Sequence, residues 1–238
     1  VLGVGFLIIV VGLAQFLRPP PVGYVPAGSA PRAGTPAPVA DYNPIEMLRT
    51  WQFYVLWFMY ACGAGAGLMI ISKLSKMADV QAGVSLGFVL VAILAVGNGA
   101  GRIVAGMLSD TIGRKATLII FYVIQAAAIF LLSQADHGNA LGSSLVLGLL
   151  SALIGASYGA NLALFPSITK DFYGIRNFGV NYGLVFTAWG LGGYTLSLLA
   201  GQVYDQTQTF TFAYYCSATL LVVAALMTLF LRPVRPQA

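Results

Sequence analysis

Six long runs of predominantly apolar residues constrain what this chain can become. They fall at about 51–72, 83–108, 116–133, 141–165, 178–201 and 212–231. Each is long enough to cross roughly 30 Å of hydrocarbon as a helix rising about 1.5 Å per residue. Inside a bilayer, backbone polar groups must be satisfied within a helix or around a closed barrel. The runs lack the alternation of barrel strands, so they are expected to be helices. Composition agrees: 58% of the chain is hydrophobic and 8% charged, with mean hydropathy +0.84, where a soluble domain carries about 25% charged residues. The fold class expected is an all-α membrane protein.

The segment before these runs has its own character. Residues 1–17 are apolar and slightly short for a span of about 20 residues, so they are read as the end of a preceding transmembrane helix. The chain starts at Val1, inside that run, with no basic leader and no small-residue cleavage site. It is therefore expected to be a piece of a longer protein. Residues 18–50 hold eight of the eleven prolines, the composition of an extended, solvated linker. Near its end Asn43-Pro44-Ile45-Glu46 reads as a helix start, with Asn43 as N-cap, Pro44 in the first turn and Glu46 as the reciprocal cap. A short surface helix is expected over 44–50, then a six-helix domain over 51–231 and a tail over 232–238.

Charge gives the orientation. Under six spans, Arg18, Arg32, Arg49, Arg114, Lys115, Lys170, Arg176, Arg232 and Arg235 fall on one side, and Lys73 and Lys76 on the other. Nine against two puts the linker and the tail in the cytoplasm. The net charge of +5 then records topology, and nucleic acid is not an expected partner. Cys62 and Cys216 lie in apolar runs and His137 in a polar connection, so no metal and no cofactor is expected. No nucleophile triad or phosphate loop is present, and the chain is not read as an enzyme. Glycines spaced by four, at 63/67, 97/101, 155/159 and 179/183, predict close helix packing.

One cation stands inside a run. Arg102 lies between 83 and 108, and a guanidinium keeps its proton at any usable pH. Placing it at mid-membrane costs from about 3 kcal/mol on insertion scales to far more in simulations. It is expected to face a cavity, a partner or an anionic ligand. Asn98 sits one helical turn earlier on the same face. All seven acids, by contrast, fall in the connections: Asp41, Glu46, Asp79, Asp110, Asp136, Asp171 and Asp205.

Where that run ends, Gly106-x-x-Ser109-Asp110-x-x-Gly113-Arg114-Lys115 sets an acid and a basic pair around a glycine turn. This resembles the cytoplasmic signature loop of the major facilitator superfamily. The resemblance implies that Gly106, Asp110, Gly113 and Arg114 form a latch whose contacts break as the transporter changes state. The six-helix block after a long linker is similar to the C-terminal half of a twelve-helix member of that superfamily. The fold so implied is a helical bundle of six spans plus the end of a preceding helix.

Four stretches narrow the resemblance to the oxalate/formate antiporter family, which includes monocarboxylate carriers. They are Asn43 to Phe53, Asn98-Gly-Ala-Gly-Arg102, Leu164-Phe-Pro-Ser167, and Asn181 to Gly190 with Phe186 and Trp189 inside it. By resemblance, Arg102 is the carboxylate-binding arginine and Asn98 its neighbour. Tyr158, Leu162, Phe186 and Trp189 are walls of the substrate pocket. The chain departs from the family twice. Oxalate carriers have a lysine where Trp189 stands, which disfavours a dicarboxylate, since an unpaired buried charge is very costly. Animal monocarboxylate carriers have an Asp where Asn98 stands, which disfavours proton relay on this helix.

The expected function is secondary active transport of a small monocarboxylate (lactate, pyruvate or formate) by alternating access about Arg102. Oxalate/formate exchange and a non-transporting membrane scaffold or assembly factor are the alternatives. The expected partners are a small carboxylate, the lipid bilayer and an N-terminal six-helix half. Protons are a candidate coupling ion, with anion exchange equally open. The expected location is the cell (inner) membrane.

Overall fold

A computed structural model describes residues 2–16, 40–83 and 87–234. Most of the proline-rich linker, with Arg18 and Arg32, lies outside the described residues, as do Val1, Leu17 and the tail residue Arg235. The described chain falls into two units, Val1–Ala37 and Pro38–Ala238. The first contains α1 (Leu2–Ala14), an apolar helix of 13 residues. At about 20 Å it is shorter than a bilayer core.

The second unit is helical throughout its regular structure. A short helix α2 (Pro44–Leu48) precedes α3 (Trp51–Ala82), α4 (Gly87–Ile112), α5 (Arg114–Ser133), α6 (Ser144–Tyr173), α7 (Phe178–Thr207) and α8 (Thr211–Phe230), with a 3-10 turn at Ala140–Gly142. All six of α3 to α8 are long and apolar enough to cross a membrane. They pack in three principal pairs, α4 with α6, α3 with α7 and α5 with α8.

Several helices run past the expected ends, each for a local reason. α3 continues through Lys73 and Lys76 because Leu74, Met77 and Ala78 stay buried on one face, at the spacing of an amphipathic helix. α4 continues through Asp110 to Ile112, and Gly113, at φ +89, breaks the chain before α5. α6 passes through Pro166, which removes one backbone donor, because Ile168, Thr169, Phe172 and Tyr173 bury its last turns. α7 runs to a left-handed Gln208 cap. Asp79, Asp110, Asp171 and Asp205 therefore sit on helix ends, not in connections.

Glycine sets the closest approach. A Cβ on Gly97 or Gly101 of α4 would collide with the backbone of Ala152 or Ala156 in α6. Reciprocally, one on Gly155 or Gly159 of α6 would collide with Leu94 or Asn98 of α4. This is two-sided small-residue packing, which lets membrane helices approach closely. Gly63 faces Tyr122 and Asn161, and Gly67 faces the ring of Tyr158. The Gly179/Gly183 pair differs from the expectation: nothing lies within 4 Å of a Cβ at either position, so it makes no helix contact here.

Hydrogen bonds tie spans across the core. From α5, Tyr122 donates to the carbonyl of Met59 at 2.7 Å and the Gln125 amide donates to that of Gly63 at 3.2 Å. Both acceptors lie on α3, one turn apart.

At one end, the segment before α2 is strapped to the turn between α6 and α7. One carboxylate oxygen of Asp41 accepts from the backbone N–H groups of Ile175 and Arg176 at 2.9 and 3.0 Å. The Tyr42 N–H donates to the Tyr173 carbonyl at 3.0 Å. The Tyr42 carbonyl accepts from the side-chain amides of Asn177 and Asn181 at 3.1 and 3.0 Å. Gly174, at φ +78, makes the turn that lets Asp41 approach. α2 itself carries the full capping box between Asn43 and Glu46. It ends two residues earlier than expected and buries Met47 completely against the bundle.

Candidate functional site

α4 carries the intramembrane cation. Arg102 lies ten residues before Ile112, roughly 15 Å along the helix axis. Its Nε donates to Asn98 Oδ1 at 3.3 Å, the one-turn spacing that the sequence suggests. This bond uses the guanidinium's side nitrogen and leaves the two terminal nitrogens for another partner. No carboxylate pairs with Arg102 among the described residues.

α6 and α7 bring aromatic groups to the same region. Gly159, beside Tyr158, packs directly on the Asn98 carbonyl, so the α4–α6 contact fixes Tyr158 relative to Asn98 and Arg102. From α7, Trp189 Nε1 donates to the Tyr158 hydroxyl at 2.8 Å. Phe186 stacks on Trp189 with ring centroids 5.2 Å apart and planes 8° from parallel. Of the pocket residues named from sequence, Arg102, Asn98, Tyr158, Phe186 and Trp189 thus come together. Leu162 is half-buried against the apolar core and takes part in no polar contact.

Sequence reasoning missed two members of this cluster. Tyr182 lies one turn before Phe186 on α7, 5.6 Å from it by ring centroids. Tyr60 of α3 stacks on Phe165 at 4.1 Å and lies 6.0 Å from Phe186. The α7 stripe of Phe178, Tyr182, Phe186 and Trp189 is legible as a helical repeat. Nothing in the sequence marks Tyr60, which arrives through α3–α7 packing. α4 and α7, which carry Arg102 and Trp189, are the least buried of the six spans.

The expected latch centres on Arg114. Its guanidinium pairs with Asp110 at 2.7 Å and with Asp171 at 3.2 Å, and it donates to the Ser109 hydroxyl. Asp110 is the more exposed of the two acids, with its side chain 69% accessible against 45% for Asp171. Arg114 thereby joins the end of α4 to the end of α6. Lys115 donates to the Leu229 carbonyl at 3.1 Å, joining the start of α5 to α8. Gly106 has open space where a Cβ would stand and Gly113 forms the turn. Asp171 and Ser109 were not anticipated, since Asp171 is 57 residues from its partner.

Six membrane-length helices, with one arginine on an exposed face of α4 near aromatic side chains of α6 and α7, define a multi-pass membrane protein. The Major Facilitator Superfamily family model matches residues 56–238, and the chain belongs to that superfamily. It is 27% identical over 154 residues to the uncharacterized MFS-type transporter YhjX of Escherichia coli, covering 64% of this chain and 37% of that protein. It is 33% identical over 155 residues to the oxalate:formate antiporter of Oxalobacter formigenes, covering 62% of this chain and 35% of that protein. It is 27% identical over 146 residues to monocarboxylate transporter 14 of Homo sapiens, covering 60% of this chain and 27% of that protein. The matches to the first two span about a third of the relatives' own length.

Proposed function

We propose that this chain is the C-terminal half of a secondary active transporter for a small monocarboxylate such as lactate, pyruvate or formate. The observation that carries the reading is Arg102, a permanent cation inside a membrane span with no carboxylate partner among the described residues. A buried charge is tolerated when it is paired, and the two terminal guanidinium nitrogens match the two oxygens of one carboxylate. Asn98 holds the side nitrogen and orients that fork. The open faces of α4 and α7 are where an N-terminal six-helix half would close the cavity. Alternating access would rock the two halves about Arg102. The Arg114 contacts at one end would hold one state, with the basic side of the membrane cytoplasmic and the protein in the cell (inner) membrane.

A second reading is oxalate/formate exchange, favoured by the relative named as an oxalate:formate antiporter. A dianion needs a second cation, and Trp189 with its stacked Phe186 supplies an apolar wall at that position. The monocarboxylate reading is therefore preferred. The test is uptake of labelled lactate by the complete transporter in proteoliposomes. Arg102→Gln is expected to abolish uptake and Arg102→Lys, which keeps the charge and loses the fork, to impair it heavily. Normal uptake by folded Arg102→Gln would overturn the reading. Oxalate competing strongly in wild type, and no better in Trp189→Lys, would favour the exchanger.

A further inference from the structure

We infer that Asp41 and the strap around it are positioning residues for the substrate site. By fastening the end of α6 to the start of α7, they hold the aromatic stripe of α7 at its distance from Arg102, and so limit the length of tail that the site accepts. The inference rests on the reading of Arg102 as the carboxylate partner.

The strap joins two helices whose main packing lies elsewhere. α6 packs chiefly on α4, and α7 on α3. The site therefore has Arg102, Asn98 and Tyr158 on one pair, and Phe186, Trp189 and Tyr60 on the other. In mid-bundle the pairs meet where Tyr60 stacks on Phe165 and Trp189 donates to Tyr158. At the strapped end they are joined through residues 41 and 42. The Tyr42 N–H holds the carbonyl of Tyr173, the last residue of α6. The Tyr42 carbonyl takes the side-chain amides of Asn177, the N-cap of α7, and of Asn181 in its first turn. Asp41 closes the turn between the two helices. Tyr42 is 6% exposed and sits edge-on to the Tyr173 ring at 5.7 Å. The Tyr173 hydroxyl shares a hydrogen bond with Thr50, before α3, at 2.9 Å.

The fastening reaches the site along α7. Phe178 follows Asn177 and stacks on Tyr182 at 5.7 Å, with planes 2° from parallel. Tyr182 lies 5.6 Å from Phe186, and Phe186 lies 5.2 Å from Trp189. This row of rings runs from the strap to the substrate site, roughly 16 Å along the helix axis. A close-packed row passes a displacement on and does not absorb it. Releasing the start of α7 therefore moves its aromatic wall away from Arg102 on α4, and a longer tail then fits beside the carboxylate.

Lactate and 2-hydroxy-4-methylpentanoate share one head group and differ only in the tail, so their ratio reads the width of the site and not its charge. In the complete transporter, two variants undo the strap independently. One is the double variant Asp41→Ala/Asn177→Ala, and the other is Asn181→Leu, which keeps the volume and loses the donor. Each is expected to raise the lactate KM more than it lowers kcat. Each is also expected to improve competition by the longer acid, relative to lactate, at least about threefold, the scale of one lost hydrogen bond. Asp41→Asn, which keeps an acceptor oxygen, should stay close to wild type. Leu132→Ala removes a buried side chain near the far end of α5. It destabilises without touching the strap and should leave the ratio as in wild type. An unchanged ratio in either strap variant overturns the proposal, whatever the thermal midpoint does. An equal shift in Leu132→Ala also overturns it, since general loosening would then be enough. Failure of the Arg102 reading shows separately, as lactate uptake by folded Arg102→Gln.

Discussion

Arg114 Nε donates to Asp171 at 3.2 Å, tying the turn after α4 to the last turns of α6. The same guanidinium holds Asp110 at 2.7 Å, so one side chain spans the ends of two packed helices. Exposed ion pairs contribute little to stability, typically below about 1 kcal/mol. A bias between two conformations needs no more than that to be felt. Asp171→Asn and Asp110→Asn are each expected to slow lactate uptake several-fold while leaving lactate affinity nearly unchanged. Maximal rate and Kd measured on the same preparations check this. Lost affinity with an unaltered rate would place these acids in the substrate site.

The α4–α6 contact sets the register of Arg102 against Tyr158. Gly101 faces the Ala156 backbone and Gly159 faces that of Asn98, with no room for a side chain at either. Gly101→Val should force the helices apart, lowering the thermal midpoint of the purified protein and reducing lactate affinity with it. Gly179→Ala, at a position with open space, is the control and should leave the midpoint within about a degree or two of wild type. A Gly101→Val protein as stable as wild type would contradict this packing.

Asp41 anchors the strap with two backbone hydrogen bonds from one carboxylate oxygen, much as an N-cap does. Asp41→Ala is expected to cost about 1 kcal/mol, the usual loss on removing such a cap. Asp41→Asn, which keeps an acceptor oxygen, should cost less. Thermal unfolding of both variants side by side checks the order.

Much of this organisation is legible in the sequence, because lipid leaves few ways to satisfy a backbone. The six spans follow from their apolar runs. The Asn98–Arg102 bond follows from a one-turn spacing, and the Asn43–Glu46 cap from local residue chemistry. What sequence reasoning missed depends on register between helices. Trp189 meets Tyr158, and Arg114 meets Asp171, only after α4, α6 and α7 have packed. The far ends of α3 and α6 were underestimated because their amphipathic last turns carry charge or proline, while their buried residues hold the helix together.

Proton coupling within this chain is restricted by where its acids stand. Asp79 and Asp205 lie near the ends of α3 and α7, Asp136 in the α5–α6 connection, and Asp41, Glu46, Asp110 and Asp171 at the opposite end. No carboxylate of the chain lies at the depth of Arg102. Replacing Asp79, Asp136 and Asp205 together by Asn should leave the pH dependence of lactate uptake unchanged. A flattened pH profile would show that one of them carries the proton.

Direct ligand binding is the most immediate test of the central claim, that Arg102 holds the substrate carboxylate. A ligand that binds only the folded state raises the thermal midpoint, by a stabilisation that grows as the logarithm of one plus the ratio of ligand concentration to Kd. With the complete transporter in detergent, millimolar lactate is expected to raise the wild-type midpoint by several degrees. It should raise that of Arg102→Lys far less and that of Arg102→Gln not at all, provided that each variant melts cooperatively without ligand. An equal lactate-induced shift in wild type and Arg102→Gln would contradict the account.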